Sequence, residues 1–146
     1  MTSRTPIDIV TGFLNGLVRG ESAAVMDDIA EAIAYTNVSL PTVQGRRNVK
    51  RLFGALDASP VSFNYRMINV AAAEHVVLTE RLDEIRLGRF AVQIWVCGRY
   101  EVVDGQVSVW RDYFDFFDVA KALVRAVIGT VIPGVTPRLP VPAGAR

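Results

Sequence analysis

The chain has one cysteine, Cys97, and one histidine, His75. A lone cysteine excludes an intramolecular disulfide, and the two residues together cannot build a Cys/His zinc cluster. No run reaches the about 18 uninterrupted apolar residues of a membrane-crossing helix, and the start shows no charged-then-apolar leader pattern. A cytoplasmic protein without membrane contact is the expectation. Charge of one sign is also missing: 16 Lys and Arg face 15 Asp and Glu, for a net charge of +1. The basic residues gather only at Arg46-Arg47 and Lys50-Arg51, which read as the solvated face of a helix. That gives no footprint for nucleic acid.

What is present is apolar. Hydrophobic residues make up 51% of the 146, enough for one domain with a generous core. Thr5-Pro6-Ile7-Asp8 reads as a helix start, with Thr5 as cap and Pro6 at the first helical position. Ile7, Val10, Phe13, Leu14, Leu17 and Val18 keep helical spacing, and Gly20 ends the helix. Ser22 is the expected cap of a short helix to Ile29. Ala32–Val38 reads as a strand or bend, Leu40–Gly45 as a loop, and Asn48–Leu56 as a helix with Val49, Leu52, Phe53 and Leu56 inward.

From Val61 the pattern alternates as strands do. Val61–Val70 is followed by a connection over Ala71–His75, then by the strand Val76–Leu87 and a turn at Gly88. Arg89–Val103 puts Phe90, Val92, Ile94 and Val96 on one face and Trp95 and Cys97 on the other. Asp104-Gly105 is a strong hairpin signal, and Gln106–Phe114 is the last strand. Asp115 caps a helix to about Ile128, and Pro133, Pro137, Pro140 and Pro142 oppose regular structure beyond it. The expectation is one domain over residues 1–132 and a proline-rich tail over 133–146. Helices first and hairpin-linked strands after them predict an α+β fold, with helices on one side of a curved sheet.

Thr79-Glu80-Arg81-Leu82-Asp83 carries the chemistry. Arg81 and Asp83 share a strand face, about 6–7 Å apart, with Val77, Ile85 and Leu87. Charges on an apolar face are costly unless paired. Asp112 rises from a similar face, beside Trp110 and Phe114. Tyr35 and Asn37, two apart, share another. A structural ion pair at Arg81-x-Asp83 is the plain reading of that stretch alone. Two carboxylates linked by one arginine form an acid–base arrangement, in which one shared proton supplies an acid and a base. Tyr35 and Asn37 add a donor and an acceptor to orient a water. Strand parity nominates Ile85, Ile94, Val96 and Phe114 as walls, a pattern core packing explains equally. Cys97, Trp95 and Trp110 read as packing residues.

Three segments carry a resemblance: Ala34-Tyr35-Thr36-Asn37-Val38, Leu78-Thr79-Glu80-Arg81-Leu82-Asp83 and Gly105–Asp115. Together, over about Ile7 to Asp118, they resemble the limonene-1,2-epoxide hydrolase family. The resemblance implies the NTF2-like cone, a strongly curved mixed sheet with helices around a deep pocket, and a homodimer. It implies one-step opening of an epoxide by water to a vicinal diol, without metal or cofactor. Asp112 would be the base, Tyr35 and Asn37 would hold the water, Asp83 would be the acid, and Arg81 the bridge. The partners would be water and a lipophilic epoxide, sterol- or fatty-acid-like. A ketosteroid-isomerase-like or polyketide-cyclase-like enzyme and a non-catalytic lipid-binding module are the alternatives. The apolar segment Val119–Val135, which carries Lys121 and Arg125, reads on its own as a dimer contact or pocket cover, with peripheral membrane contact as the lesser alternative.

Overall fold

Hydrogen-bond capping and chain reversal set the first third of the chain. The computed structural model describes residues 3–140. Helix α1 (Pro6–Val18) begins with a reciprocal capping box: the Thr5 side chain accepts from the Asp8 N–H, and the Asp8 carboxylate accepts from the Thr5 N–H. It ends as the chain turns at Gly20, whose φ of 69° suits a residue without a Cβ. A 3₁₀ turn over Ser22–Asp28 leads into β1 (Ile29–Asn37). Ser22 is not its cap; it lies inside the turn, buried, with its N–H bound to Asp57. The expected loop over Leu40–Gly45 contains a two-residue strand, β2 (Val43–Gln44), paired to β1. Helix α2 (Arg46–Asp57) buries Val49 and Phe53, but Leu52 faces solvent.

The sheet is completed by β3 (Ser62–Ala73), β4 (Val76–Leu87), β5 (Phe90–Val103) and β6 (Gln106–Tyr113). The strand β3 runs on through Ala73, where a connection was expected, because its last residues pair fully with Val76–Leu78. The β5–β6 turn has positive φ at both Asp104 and Gly105, 51° and 76°, as a tight hairpin of the strands' own twist requires. Strand order is β2-β1-β6-β5-β4-β3, all antiparallel except the β1–β6 pair. Register breaks in β1, β3 and the β5–β6 ladder bend the sheet.

The concave face holds the core. Val10, Phe13, Leu14 and Leu17 of α1 and Val49 and Phe53 of α2 pack against Tyr35, Val77, Tyr100 and Trp110. Helix α3 (Phe116–Val131) is capped by Asp115, which accepts from the Asp118 N–H. It lies along the part of β5 that outruns β6, where Asp118 accepts from the Trp95 N–H and so occupies an open ladder position. Beyond it the chain forms one 3₁₀ turn at Pro133–Val135 and is tied back by Arg125, Thr136 and Arg86. Residues 141–146, with Pro142, lie outside the described residues. On the opposite face of the sheet Trp95 and Cys97 are exposed, not packed as expected, because among the described residues no helix covers them.

Candidate active site

Sheet register brings the polar residues together. Asn37 stands beside Asp112 and Tyr35 beside Trp110 on the parallel β1–β6 pair. Across the next ladder Asp112 faces Gly98, and Gly98 in turn faces Thr79 of β4. Asp112 is therefore two strands from β4, about 10 Å, too far for direct contact with Asp83. Arg81 closes the gap. A Cβ on Gly98 would lie 2.7 Å from Arg81 Nη1, so the missing side chain is what lets the guanidinium lie across β5.

The guanidinium is fully engaged. Nε donates to Asp83 Oδ1 at 2.9 Å and Nη2 to Asp83 Oδ2 at 2.9 Å. The same Nη2 donates to Asp112 Oδ1 at 3.1 Å. Nη1 donates to Thr79 Oγ1 at 3.3 Å and to the Tyr100 hydroxyl. All five N–H groups of the arginine thus have an acceptor. Arg81 is 0% exposed, yet its charge is held firmly. Burial works against that charge, but the surrounding groups, Asp112 and Asp83 among them, outweigh it and raise its pKa.

The two carboxylates differ. Both oxygens of Asp83 accept from Arg81. Asp112 takes its two protein donors, Arg81 Nη2 and Trp110 Nε1, on Oδ1 alone. Oδ2 of Asp112 is left without a protein donor among the described residues. Burial pushes the Asp112 carboxyl above the ordinary carboxylate range; Arg81 opposes this, and the charge of Asp83 adds to it. Asn37 Nδ2 donates to the Tyr35 hydroxyl at 2.9 Å, which leaves the Tyr35 O–H proton and the Asn37 carbonyl free of protein partners among the described residues. Burial, followed by the Asp112 charge, raises the Tyr35 pKa, so it stays a neutral donor.

These groups line part of a cavity of about 550 Å³. Tyr35, Asn37, Arg81, Asp83 and Asp112 all reach it, and so do Ile85, Ile94, Val96 and Phe114. The rest of the lining is apolar, from Leu17, Phe53, Leu56 and Phe63 on one side to Val119 and Leu123 of α3 on the other. An apolar chamber with one convergent polar cluster suits a small lipophilic molecule. In it the cluster can deprotonate a water and protonate a leaving oxygen.

Sequence reasoning missed the groups behind this set. Trp110 packs in the core as its type suggests, but it also donates to Asp112 at 3.0 Å. Thr79, Gly98 and Tyr100 were not singled out. Parity alone would have placed Thr79 with Arg81, and Gly98 and Tyr100 with Val96. A glycine in the middle of a 14-residue strand was a further signal.

Three comparisons bear on this geometry. A family model described as limonene-1,2-epoxide hydrolase catalytic domain matches residues 4–125. Epoxide hydrolase EphG of Mycobacterium tuberculosis (strain ATCC 25618 / H37Rv) is 36% identical over 124 residues, 85% of this chain and 83% of that protein. The solved structure of an M. tuberculosis LEH-like epoxide hydrolase superposes with a TM-score of 0.88 at 34% identity, covering 92% of this chain and 95% of that one. An NTF2-like protein of unknown function from Cytophaga hutchinsonii shares the fold, with a TM-score of 0.64 at 18% identity over 78% of this chain and 93% of that one. The curved mixed sheet is thus the NTF2-like fold. The chain belongs to the limonene-1,2-epoxide hydrolase family and is an epoxide hydrolase of that type.

Proposed function

We propose that this protein opens a bulky lipophilic epoxide to a vicinal diol in one step, with Asp112 as base and Asp83 as acid. The observation that carries the reading is the single nitrogen, Arg81 Nη2, bound to both carboxylates in the wall of a largely apolar cavity. A water there gives one proton to Asp112 Oδ2 and the other as a hydrogen bond to the Asn37 carbonyl. It accepts from the Tyr35 O–H, and its remaining lone pair attacks an epoxide carbon. As that C–O bond breaks, the leaving oxygen takes a proton from Asp83.

Negative charge moves from Asp112 to Asp83, and Arg81 is bonded to both from the start. Nothing has to reorganise as the charge moves. Asp112, raised by burial, is a strong base for its type. The two guanidinium bonds to Asp83 stabilise the carboxylate it becomes on giving up its proton. Asp83 has then given a proton to the diol and Asp112 has taken one from the water, so transfer of one proton from Asp112 to Asp83 resets the pair.

A cavity of about 550 Å³ supports a substrate of sterol- or fatty-acid-like bulk. An isomerase of this fold needs a base and an oxyanion donor, not an arginine shared by two aspartates. We also propose a homodimer acting in the cytoplasm; among the described residues no helix is long and apolar enough to cross a membrane. The test is diol formation from a panel of epoxides of increasing size. Asp112→Asn and Asp83→Asn are each expected to lose about 10²–10⁴-fold in turnover while staying folded. In oxygen-18 water a single turnover is expected to put the label directly in the diol. Near-wild-type turnover by either folded variant, or label appearing first in an aspartate, overturns the mechanism.

A further inference from the structure

We infer that Thr79 and Tyr100 are positioning residues for the acid–base pair, acting through Arg81 Nη1, and that Gly98 is the space that admits the guanidinium. This rests on the role given above to Arg81. Neither Thr79 nor Tyr100 lines the cavity, so neither can touch substrate. Both are buried, Tyr100 completely.

The physical need is clear from the geometry. Asp83 grips one edge of the guanidinium through Nε and Nη2. Such a pair can still swing as a unit on the long arginine stem, because the stem's torsions stay free. Acceptors on Nη1, at the other side of the fork, remove that freedom. The contact at stake is Nη2 to Asp112 Oδ1, the longest of the three carboxylate bonds at 3.1 Å. Without an acceptor, a buried N–H of Nη1 would be unsatisfied, and the guanidinium would move to satisfy it. Asp112 would then lose its shared partner while Asp83 kept its own. Gly98 belongs to the same device. A Cβ there would lie 2.6 Å from Thr79 Oγ1, 2.7 Å from Arg81 Nη1 and 2.8 Å from Tyr100 Cε2, so it would strike all three members.

The experiment compares Thr79→Val, Tyr100→Phe, their double variant and Thr79→Ser with wild type on an epoxide that the wild type turns over. The double variant is expected to lose about 10- to 100-fold in kcat, with KM within about twofold, because it displaces reacting groups and no substrate contact. Its pH–rate profile is expected to shift. Thr79→Ser, which keeps the hydroxyl, is expected to stay within about threefold of wild type. A folded double variant with wild-type kcat and pH profile overturns the inference, and so does a rise in KM with kcat unchanged. A second readout needs no turnover: nitrogen-15 NMR of the Arg81 side chain. Separate, slowly exchanging Nη signals in wild type that merge in the variants support the clamp; a single averaged Nη signal in wild type overturns it. That measurement decides the matter if the double variant fails to fold, and it separates failure of the clamp from failure of the epoxide-opening reading.

Discussion

Asp112 carries a cost that the base role proposed for it would explain. It is 6% exposed, and burial holds its carboxyl above the ordinary carboxylate range. A carboxyl with a raised folded pKa favours the folded state only while protonated. Its contribution is fully present below the unfolded value of about 4 and is lost as pH rises through the folded value. Asp112→Asn keeps the shape and an oxygen for Trp110 and Arg81 but never ionises, and Arg81 still has Asp83. The variant is therefore expected to match wild type near pH 3–4 and to melt a few degrees higher at pH 7. Melting curves across that range check it; a lower melting temperature at pH 7 would count against a destabilising charge. The presence of Asp83, Arg81 and Asp112 was legible in the sequence because apolar neighbours made the charges conspicuous. Thr79 and Tyr100 were not, since an isolated hydroxyl in a strand has no signature until its partner is known.

At the scale of elements, parity and turn chemistry did most of the work. The strand β4 begins and ends where alternation and Gly88 placed it, and the Asp104-Gly105 hairpin starts the β5–β6 ladder; the one-residue register shift between Glu101 and Val102 then sets Gly98 opposite Asp112 instead of Arg111. The misreadings share a cause. Leu52, Cys97 and Trp95 are apolar by type, but whether a face is covered depends on what packs on it. Helix α3 shows the same point in a useful way. Its Val119 and Leu123 wall the cavity, while Val124, Val127 and Val131 face outward. Its first turn hangs on the Asp115 cap. Asp115→Ala is expected to cost about 1 kcal/mol and fray that turn. Steady-state kinetics should then show a raised KM with kcat within about twofold, since Val119 belongs to the wall and not to the acid–base set. An unchanged KM would mean that α3 does not shape the site.

For the whole molecule, the sheet has one covered face and one largely bare. Leu78, Trp95 and Tyr113 stand exposed on the bare face. Contiguous exposed apolar surface suits an interaction face, and the homodimer proposed above would bury about 800 Å² per partner there. Light scattering is expected to give the mass of a dimer for wild type and of a monomer for Leu78→Glu with an unchanged circular dichroism spectrum. A monomeric wild type at micromolar concentration would remove the homodimer.

The sequence by itself determined most of the elements, the strand faces and the polar set, because each rests on local spacing: period two on strands, caps at Thr5 and Asp115, glycines at the Gly88 and Gly105 turns. Only the tertiary structure decided that the set is one site. Asn37, Asp112, Gly98 and Thr79 become neighbours through strand pairing between segments far apart in the chain, and the parallel β1–β6 pair is invisible to any local pattern. The sharing of Arg81 between two carboxylates follows from that order. It requires a two-strand gap, an arginine long enough to cross it, and no side chain at Gly98.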